Sequence, residues 1–490
     1  MFLVKACPGS GKTATLVART KALPWWEPKL VLAFNKKAAE EFQSRLGGYP
    51  NAEVRTFHSL CLREIMADPY SYGYRRKPRL IQGSMFQNMC TATGAGLKGR
   101  SWENSGWDEE FIKRAEHSIY DHDLEEMMIT HTPRFTELER AAMENKVNTD
   151  PGSSREIQQQ LTEDQARRGV YLSCLALLTY RRWLIDNNVI TFDSMVRTVA
   201  SHCGAIITKP THLMVDEFQD VDRFQLDILI EMAGRSGIRS FMCVGDPNQR
   251  IYEWRGALEE AFRDTGIMLP DVCTLPLTTN FRSKPGIIAH AETICNVGMT
   301  SINPGPAEDG SVVQFPEDPY ATLFGVRKSD EDLSNLAILS RTNRDCGVWF
   351  LRLVKAGTPA FLLGKKDFWA TAHIRLAKRA WDLDLTFNDL MNTPDWRTMI
   401  SAKRFRDNED LERDAIEDAR WIMSLSESDM KIMENAIQRE DIGVRVSTIH
   451  KTKGMEWDAV LVAGVTDRLR KETYVYYVAC TRPRHLLVLS

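Results

Sequence analysis

Short apolar runs alternate with longer amphipathic stretches along the N-terminal half of the chain. Phe2–Val4, Leu30–Phe34 and Leu213–Val215 are uninterrupted apolar runs, which predict buried strands. Thr13–Leu23 and Lys36–Leu46 follow two of these runs and have the spacing of amphipathic helices. Because strands that alternate with helices pair in parallel, the pattern predicts an α/β fold with parallel sheets.

The same alternation returns in the C-terminal half. Leu336–Leu339 is the clearest strand of a strand-rich region, and Val444–Ser447, Ala459–Val462 and Leu486–Leu489 predict further buried strands. Between the strand-rich regions, two stretches are polar, charged and helical in pattern. We therefore predict two tandem domains, each interrupted by a helical insertion. The predicted boundaries are 1–75 and 191–275 for domain 1, 76–190 for its insertion, 276–365 and 443–490 for domain 2, and 366–442 for its short insertion.

Composition indicates an ordinary globular protein of 490 residues, with 43% hydrophobic and 26% charged residues. The formal net charge of -3 means that a polyanionic partner would have to be held by a local basic groove. The ten cysteines are scattered and form no CxxC pair, which argues against zinc ribbons and favours reduced thiols in the cytoplasm. No apolar run is long enough to span a bilayer, so we expect no membrane partner.

The segment Ala6–Thr13, ACPGSGKT, lies between a predicted strand and a predicted helix, which is the context of a phosphate-binding loop. Gly9 and Gly11 would let the backbone wrap a phosphate. Lys12 would reach the β- and γ-phosphates, and the Thr13 hydroxyl would ligate Mg²⁺. A glycine-rich turn without a ligand is the alternative. The candidate nucleotide-binding residues of the loop are Pro8, Gly9, Ser10, Gly11, Lys12 and Thr13.

Acidic and basic residues elsewhere complete the chemistry of such a site. Asp216 and Glu217 follow an apolar strand in LMVDEFQD, where Asp216 would hold the metal and Glu217 would activate water. Arg282 and Arg482 are both candidates for an arginine that stabilises charge on the transferring phosphoryl group. Glu456 would accept from a ribose hydroxyl or help to order water. A solvated surface charge is the alternative for each arginine.

The segment Val244–Ala257, VGDPNQRIYEWRGA, combines a polar amide with aromatic and basic side chains. Gln249 follows a strand and is suited to sensing a phosphate. Tyr252, Trp254 and Arg255 are suited to stacking against bases. The segment therefore predicts coupling between nucleotide state and nucleic-acid binding, with a packed aromatic turn as the alternative.

Eight motifs stand in one order from Ala6 to Arg484: ACPGSGKT, VLAFNKKAAEEF, TFHS, VDEFQD, VGDPNQRIYEWRGA, TTNFRS, STIHKTKGMEWDAV and YVACTRPR. Together they resemble the superfamily 1 DNA helicases of the UvrD/Rep/PcrA type. The resemblance implies two RecA-like domains with ATP in the cleft between them, and 3′-to-5′ movement along single-stranded DNA. It implies that Gln249 faces the γ-phosphate across that cleft from Arg282 and Arg482. Phe281 would stack on the base, and Gly454 and Glu456 would contribute to the nucleotide site.

The resemblance also implies a set of DNA contacts and partners. Single-stranded DNA and single-strand/duplex junctions would be the substrates, with an accessory protein as a further candidate partner. The residues implied to contact the strand are Phe34, His58, Phe192, Tyr252, Trp254, Arg255, Arg341, Asn343, Thr448 and His450.

Three departures from the family pattern qualify these expectations. The sequence begins directly before the phosphate loop, without the upstream glutamine that reads adenine, so preference for ATP over other NTPs stays open. The insertion at 366–442 is short, which suggests fewer autoinhibitory contacts. The sequence ends at Ser490, so we expect no fused nuclease or tail. An ATP-gated clamp without strand separation, an unrelated phosphate-loop enzyme and an RNA track remain the alternatives.

Overall fold

The computed structural model describes residues 1–82, 85–93, 109–136, 139–140, 142–143, 154–251, 261–269, 271–302, 311–325, 330–364, 368–401, 408–436 and 440–490. Its strands are β1 (Phe2–Ala6), β2 (Lys29–Ala33), β3 (Ala52–Thr56), β4 (Arg79–Leu80), β5 (Val189–Ile190), β6 (His212–Val215), β7 (Ser240–Gly245), β8 (Cys273–Leu277), β9 (Thr279–Asn280), β10 (Thr300–Ser301), β11 (Val312–Gln314), β12 (Leu336–Ser340), β13 (Ala360–Leu362), β14 (Val444–Thr448), β15 (Trp457–Ala463) and β16 (Pro483–Leu489).

The α-helices before the second sheet are α1 (Lys12–Ala22), α2 (Lys36–Leu46), α3 (Phe57–Ala67), α4 (Met85–Thr93), α5 (Glu109–Ser118), α6 (Asp121–Thr130), α7 (Ser154–Asp186), α8 (Phe192–Ser201), α9 (Arg223–Gly234), α10 (Ala261–Met268) and α11 (Pro285–Ile294). Those that follow are α12 (Pro319–Phe324), α13 (Asn343–Lys355), α14 (Ala372–Asp382), α15 (Phe387–Asn392), α16 (Pro394–Ser401), α17 (Glu409–Ser424), α18 (Glu427–Asn435), α19 (Asp467–Lys471) and α20 (Thr473–Cys480).

The first sheet has six strands in the order β3-β2-β6-β7-β1-β8. The pairs β2–β3, β2–β6 and β6–β7 are parallel. Every residue of β2 and β6 is buried, because helices cover both faces of a parallel sheet. The loops that follow the carboxyl ends of these strands carry most of the predicted polar site residues of this half.

The second sheet has the order β11-β16-β15-β12-β14-β13. All five of its pairings are parallel. Its central strand β12 is fully buried and leads directly into α13 through the cap of Thr342, whose side chain accepts from Asp345 N. The two sheets confirm the predicted α/β class with parallel strands.

The chain forms two compact units that do not follow a simple division at mid-chain. Unit 1 contains 1–3, 16–243 and 252–273. Unit 2 contains 4–15, 244–251 and 274–490. The phosphate loop and the segment around Gln249 therefore make their contacts in the same unit as the C-terminal half.

In unit 1, the described elements between β4 and β5 are helices, and β4 pairs with β5 in parallel. An ion-pair cluster ties these helices to α8, and three of its members, Glu116, Arg181 and Arg197, are buried. Arg181 on α7 contacts Glu116 on α5 at 3.0 Å and Asp121 on α6 at 2.8 Å, while Arg197 on α8 lies 3.6 Å from Glu116. Because breaking a buried pair leaves an uncompensated charge, the cluster fixes α8 relative to the helices.

In unit 2, the helices between β13 and β14 pack onto α13. An added Cβ at Gly347 on α13 would lie 2.1 Å from Trp421 Cη2 on α17, so only glycine allows this close approach. His373 Nε2 and Asp418 Oδ2, 2.8 Å apart, join α14 to α17. These contacts hold the helices between β13 and β14 together and against α13.

A buried carboxyl at the start of α9 makes the stability of unit 1 depend on pH. Asp222 caps α9 by accepting from Gln225 N at 2.8 Å. Burial raises its pKa from 3.8 to about 7, although the hydrogen bonds from Gln225 and Phe224 oppose the shift. Since the folded state keeps the proton that the unfolded state releases above pH 4, stability is full below about pH 4 and is lost as pH rises through 7.

We therefore expect Asp222→Asn, which retains a good cap, to stabilise the protein at pH 8 relative to pH 5. The expected gain is on the order of a few kcal/mol in the free energy of urea unfolding. Asp318→Asn is the matched control, because Asp318 caps α12 with a side chain that is 55% exposed. Equal effects of Asp222→Asn at both pH values would show that Asp222 is ionised in the folded protein.

Within the described residues, no helix has both the length and the apolar character needed to cross a membrane.

Candidate functional site

The phosphate loop of unit 2 has the backbone geometry that its sequence predicts. Gly9 and Gly11 have φ angles of +66° and +80°, which residues other than glycine rarely adopt. Ser10 Oγ donates to Cys7 O at 2.8 Å and closes the loop. Helix α1 begins at Lys12, and Thr15 N donates to Gly11 O at 2.8 Å. The loop thus leads into a helix N-terminus, where backbone N–H groups and the helix dipole favour an anion.

Asn280, which the sequence analysis did not single out, ties the loop to the segment of Arg282. Its side chain is fully buried. Asn280 Nδ2 donates to Pro8 O at 2.6 Å, and Oδ1 accepts from the backbone N–H groups of Arg282 and Ser283 at 2.8 and 2.7 Å. Phe281 N also donates to Gly9 O at 2.9 Å. The only hint in the sequence is the position of this asparagine within TTNFRS.

Gly9→Ala should therefore damage both the fold and nucleotide binding. An added Cβ would lie 2.8 Å from Arg282 Cβ and 2.8 Å from Asn280 Nδ2. The left-handed backbone alone costs about 1–2 kcal/mol for alanine. Gly48→Ala is the matched control, because Gly48 has φ +75° and nothing within 4 Å of an added Cβ. Thermal unfolding should show a larger loss for Gly9→Ala, and only that variant should bind nucleotide more weakly. Equal losses in both variants would contradict the close packing of the loop.

Arg482 is buried and directly contacts Gln249. Arg482 Nη2 donates to Gln249 Oε1 at 3.1 Å, Nε donates to Val478 O at 2.9 Å, and Nη1 donates to Met455 O at 3.1 Å. Gln249 and Arg482 were expected to face each other at the γ-phosphate. In the structure their side chains are hydrogen-bonded within one compact unit. Any movement of one side chain must therefore change the surroundings of the other.

Gln249 is held by two further groups. Its Nε2 donates to Asp246 Oδ2 at 2.9 Å, and its backbone oxygen accepts from Lys453 Nζ at 2.8 Å. Asp246 is fully buried at the end of β7. Lys453 was not predicted as a site residue, although it lies within HKTKGMEWD. These bonds fix the orientation of the amide, which is what a residue that senses a phosphate requires.

Arg282 and Glu456 form an ion pair beside the loop. Arg282 Nη1 lies 3.2 Å from Glu456 Oε2, and Arg282 Nη2 donates to Thr481 O at 2.6 Å. Burial lowers the pKa of Arg282, opposed by the charge of Glu456. Burial would raise the pKa of Glu456, but hydrogen bonds from Arg484 and the charge of Arg282 hold it below its usual value. Glu456 is therefore a carboxylate near neutral pH, engaged by two guanidinium groups.

In unit 1, Asp216 and Glu217 follow β6 as predicted. Asp216 is buried, and its Oδ1 accepts from Glu217 N at 2.9 Å. Glu217 has a φ of +52°, a conformation that is strained for a glutamate and that recurs at functional sites. Gln219 Nε2 donates to Glu217 Oε2 at 2.6 Å and orients the carboxylate.

The donor chemistry of the predicted metal ligands suits Mg²⁺. Thr13 supplies a hydroxyl and Asp216 a carboxylate, and Mg²⁺ prefers such oxygen ligands together with water and phosphate oxygens. Among the described residues, no cluster of three or more His, Cys, Asp or Glu side chains could hold a metal by itself.

Two of the predicted DNA contacts meet in unit 1. The rings of His58, at the start of α3, and Phe192, at the start of α8, have centroids 6.2 Å apart. Phe192 is 51% exposed, so it is available for stacking. Burial lowers the pKa of His58, opposed by Asp193, so the imidazole is neutral at pH 7. Phe34 follows β2 and is half-buried.

The predicted contacts of unit 2 also lie at neighbouring strand ends. Ser340 at the end of β12 is in register with Thr448 at the end of β14. Asn343 and Thr448 line a small recess together with Lys451 and Phe368. Arg341 Nε donates to Glu472 Oε2 at 2.6 Å. Burial and then the charge of Arg341 lower the pKa of His450, opposed by Glu472.

Of the remaining predicted residues, some lie within the described part of the chain and some lie outside it. Phe281 is 59% exposed, and Gly454 has a φ of +79°. Tyr252, Trp254 and Arg255 lie outside the described residues.

Comparison with known proteins shows the family of the chain. Residues 1–265, more than half of its 490 residues, match the UvrD/REP helicase N-terminal domain, and residues 397–490 match the UvrD-like helicase C-terminal domain.

Relatives with curated names are similar at low identity. The ATP-dependent DNA helicase PcrA of Bacillus subtilis is 24% identical over 436 residues, covering 80% of this chain and 53% of the relative. DNA helicase IV of Escherichia coli is 28% identical over 327 residues, covering 59% and 44%, respectively. The ATP-dependent DNA helicase UvrD2 of Mycobacterium bovis is 24% identical over 332 residues, covering 56% and 47%. The chain spans about half the length of these relatives, and it belongs to the UvrD/Rep helicase family.

Proposed function

We propose that this protein is an ATP-dependent DNA helicase or translocase that moves 3′-to-5′ along single-stranded DNA. One observation supports it most strongly. The phosphate loop, Gln249, Arg282 and Arg482 meet within unit 2, and Arg482 is hydrogen-bonded to Gln249. An oriented amide beside a buried arginine and a phosphate loop is suited to detecting a γ-phosphate and stabilising its transfer.

Different residues would bind the phosphates, stabilise the transition state and activate water during hydrolysis. Backbone N–H groups of the loop and the start of α1 would hold the phosphates, and Lys12 would neutralise their charge. Arg282 and Arg482 would stabilise the negative charge that develops on the transferring group. Glu217 would take a proton from the attacking water, with its carboxylate oriented by Gln219. A γ-phosphate oxygen would compete with Gln249 for Arg482 Nη2, which gives the nucleotide a way to alter the segment after β7.

Thr13 and Asp216 would hold Mg²⁺, which neutralises phosphate charge when it is bound with the nucleotide. Glu456, with its charge already shared by Arg282 and Arg484, would keep Arg282 oriented toward the loop. Phe281 would stack on the base.

Single-stranded DNA would lie along the carboxyl ends of the strands. The exposed ring of Phe192 beside His58 supports base stacking in unit 1. Asn343, Thr448 and His450 would contact the strand in unit 2. Tyr252, Trp254 and Arg255 follow Gln249 by three to six residues and would connect this binding to it. We also propose a cytoplasmic location, because the ten scattered cysteines favour reduced thiols.

The test is strand displacement from duplexes that carry either a 3′ or a 5′ single-stranded overhang. We expect ATP-dependent displacement from the 3′-tailed duplex and little from the 5′-tailed one, with GTP and CTP compared for nucleotide preference. Tight binding of the tailed DNA without displacement, but with hydrolysis, would identify a translocase or clamp. No binding and no hydrolysis would contradict the proposal.

A further inference from the structure

Two adjacent tryptophans are exposed on the short loop between α1 and β2 of unit 1. Trp25 is 60% exposed and Trp26 is 61% exposed. Their ring centroids are 5.7 Å apart, with the ring planes at 89°. Tryptophan side chains are ordinarily mostly buried, so a pair of indoles in water indicates a binding surface more than a packing one.

A buried lysine holds the backbone of this loop. Lys29 is 2% exposed, and its Nζ donates to Pro24 O at 2.5 Å and to Glu27 O at 2.7 Å. Burying an ammonium group costs free energy that these bonds must offset. The charge is therefore used to fix the loop on either side of the two tryptophans.

Side chains from the loop before β3 add further support. Tyr49 Oη donates to Leu23 O at 3.0 Å, and Asn51 Nδ2 donates to Trp25 O at 3.0 Å. The loop backbone is thus bonded on both sides of the indoles while the rings face solvent. A surface that is fixed before binding loses little conformational entropy when a ligand arrives.

The charges around the loop favour an anionic ligand. Both carboxylate oxygens of Glu27 are engaged, one by His212 Nε2 and the other by Arg239 Nη1. Arg239, which pairs with Glu27 next to Trp26, has a side chain that is 71% exposed, and Lys21, whose Nζ donates to Arg45 O at 2.9 Å, is also exposed. Exposed indoles with cations beside them are the combination that binds single-stranded nucleic acid, because bases stack on the rings and phosphates pair with the cations.

The tryptophans lie at the opposite edge of the sheet from the predicted strand contacts. Trp26 precedes the start of β2, whereas Phe34 follows its end. Five residues of strand separate the two edges by about 16 Å. His58 follows β3, which is parallel to β2, so it lies at the same edge as Phe34. The tryptophan pair is therefore separate from the contacts already proposed.

We infer that Trp25 and Trp26 form a second contact for single-stranded nucleic acid, together with Arg239, which pairs with the neighbouring Glu27, and Lys21 at the end of α1. This inference rests on the proposed function, because it extends the path of the strand that the carboxyl edge binds. A short strand would occupy the carboxyl edge alone, whereas a long strand would reach both edges.

The test compares two labelled oligothymidylates, one of about 8 and one of about 40 nucleotides, by fluorescence anisotropy at fixed salt. We expect the double variant Trp25→Ala/Trp26→Ala to bind the long strand roughly tenfold more weakly and the short strand with unchanged affinity. Trp25→Phe/Trp26→Phe should retain most of the affinity, since phenylalanine still stacks. Tyr70→Ala is the matched control, because Tyr70 is 74% exposed elsewhere in unit 1.

Each other outcome overturns the inference. Unchanged binding of the long strand by the alanine variant would show that the indoles do not contact nucleic acid and would favour a protein partner for them. Equal weakening for both lengths would show that they are not a separate contact. Failure of the unaltered protein to bind either strand would instead contradict the proposed function, and the second contact with it. Thermal unfolding should be unaffected, because both tryptophans are exposed.

Discussion

Lys12→Ala is expected to lower the rate of ATP hydrolysis at least about a hundredfold while binding of single-stranded DNA is kept. Lys12 is the first residue of α1, directly after Gly11. Its ammonium group would neutralise phosphate charge where the loop N–H groups hold the nucleotide, and no other feature of the loop supplies a full positive charge there. The measurement is steady-state phosphate release at saturating ATP and single-stranded DNA.

The matched control is Lys5→Ala, which removes an exposed lysine from β1. It should leave both hydrolysis and DNA binding unchanged. If Lys12→Ala hydrolyses ATP at the rate of the unaltered protein, the assignment of the phosphate site is wrong.

Arg482→Lys is expected to reduce kcat by about a thousandfold with a smaller change in KM. Lysine keeps the charge but cannot donate simultaneously to Val478 O, Met455 O and Gln249 Oε1 as the guanidinium does. Changing a residue that acts mainly in the transition state lowers kcat, whereas changing a merely structural residue lowers the stability of the protein.

Thermal unfolding separates the two roles, and Arg470→Lys provides the control. Arg470 is exposed and lies over the ring of Phe315, away from the phosphate loop. It should tolerate lysine without loss of hydrolysis. A large drop in the unfolding temperature of Arg482→Lys, together with an unchanged kcat, would assign Arg482 to the fold alone.

Apolar patterning was sufficient to predict strands such as β2, β6 and β12, because these parallel strands are buried on both faces. Leu336–Leu339, for example, is observed as Leu336–Ser340. The polar residues after these strands could also be predicted as site residues, since ligands bind at the carboxyl ends of parallel strands. Asp216 and Glu217 after β6 are the clearest case.

Other features depend on contacts between residues far apart in the chain. Asn280 bonds to Pro8 across 272 positions, and Arg482 bonds to Gln249 across 233. No local pattern encodes such a pair. The same holds for Asp222, whose capping position is visible in the sequence but whose burial is not.

The exposure of Trp25 and Trp26 could not be predicted from the sequence either. Tryptophan side chains are usually buried, and only the structure shows that Lys29 and Asn51 hold this loop with both rings exposed.

If nucleotide hydrolysis is coupled to single-stranded DNA at one site, DNA must change the rate of hydrolysis. The rate is best measured as single-stranded DNA is titrated into the protein at saturating ATP. We expect a saturable increase of roughly tenfold or more, absent in Lys12→Ala. A measurable rate that is the same with and without DNA would contradict this coupling.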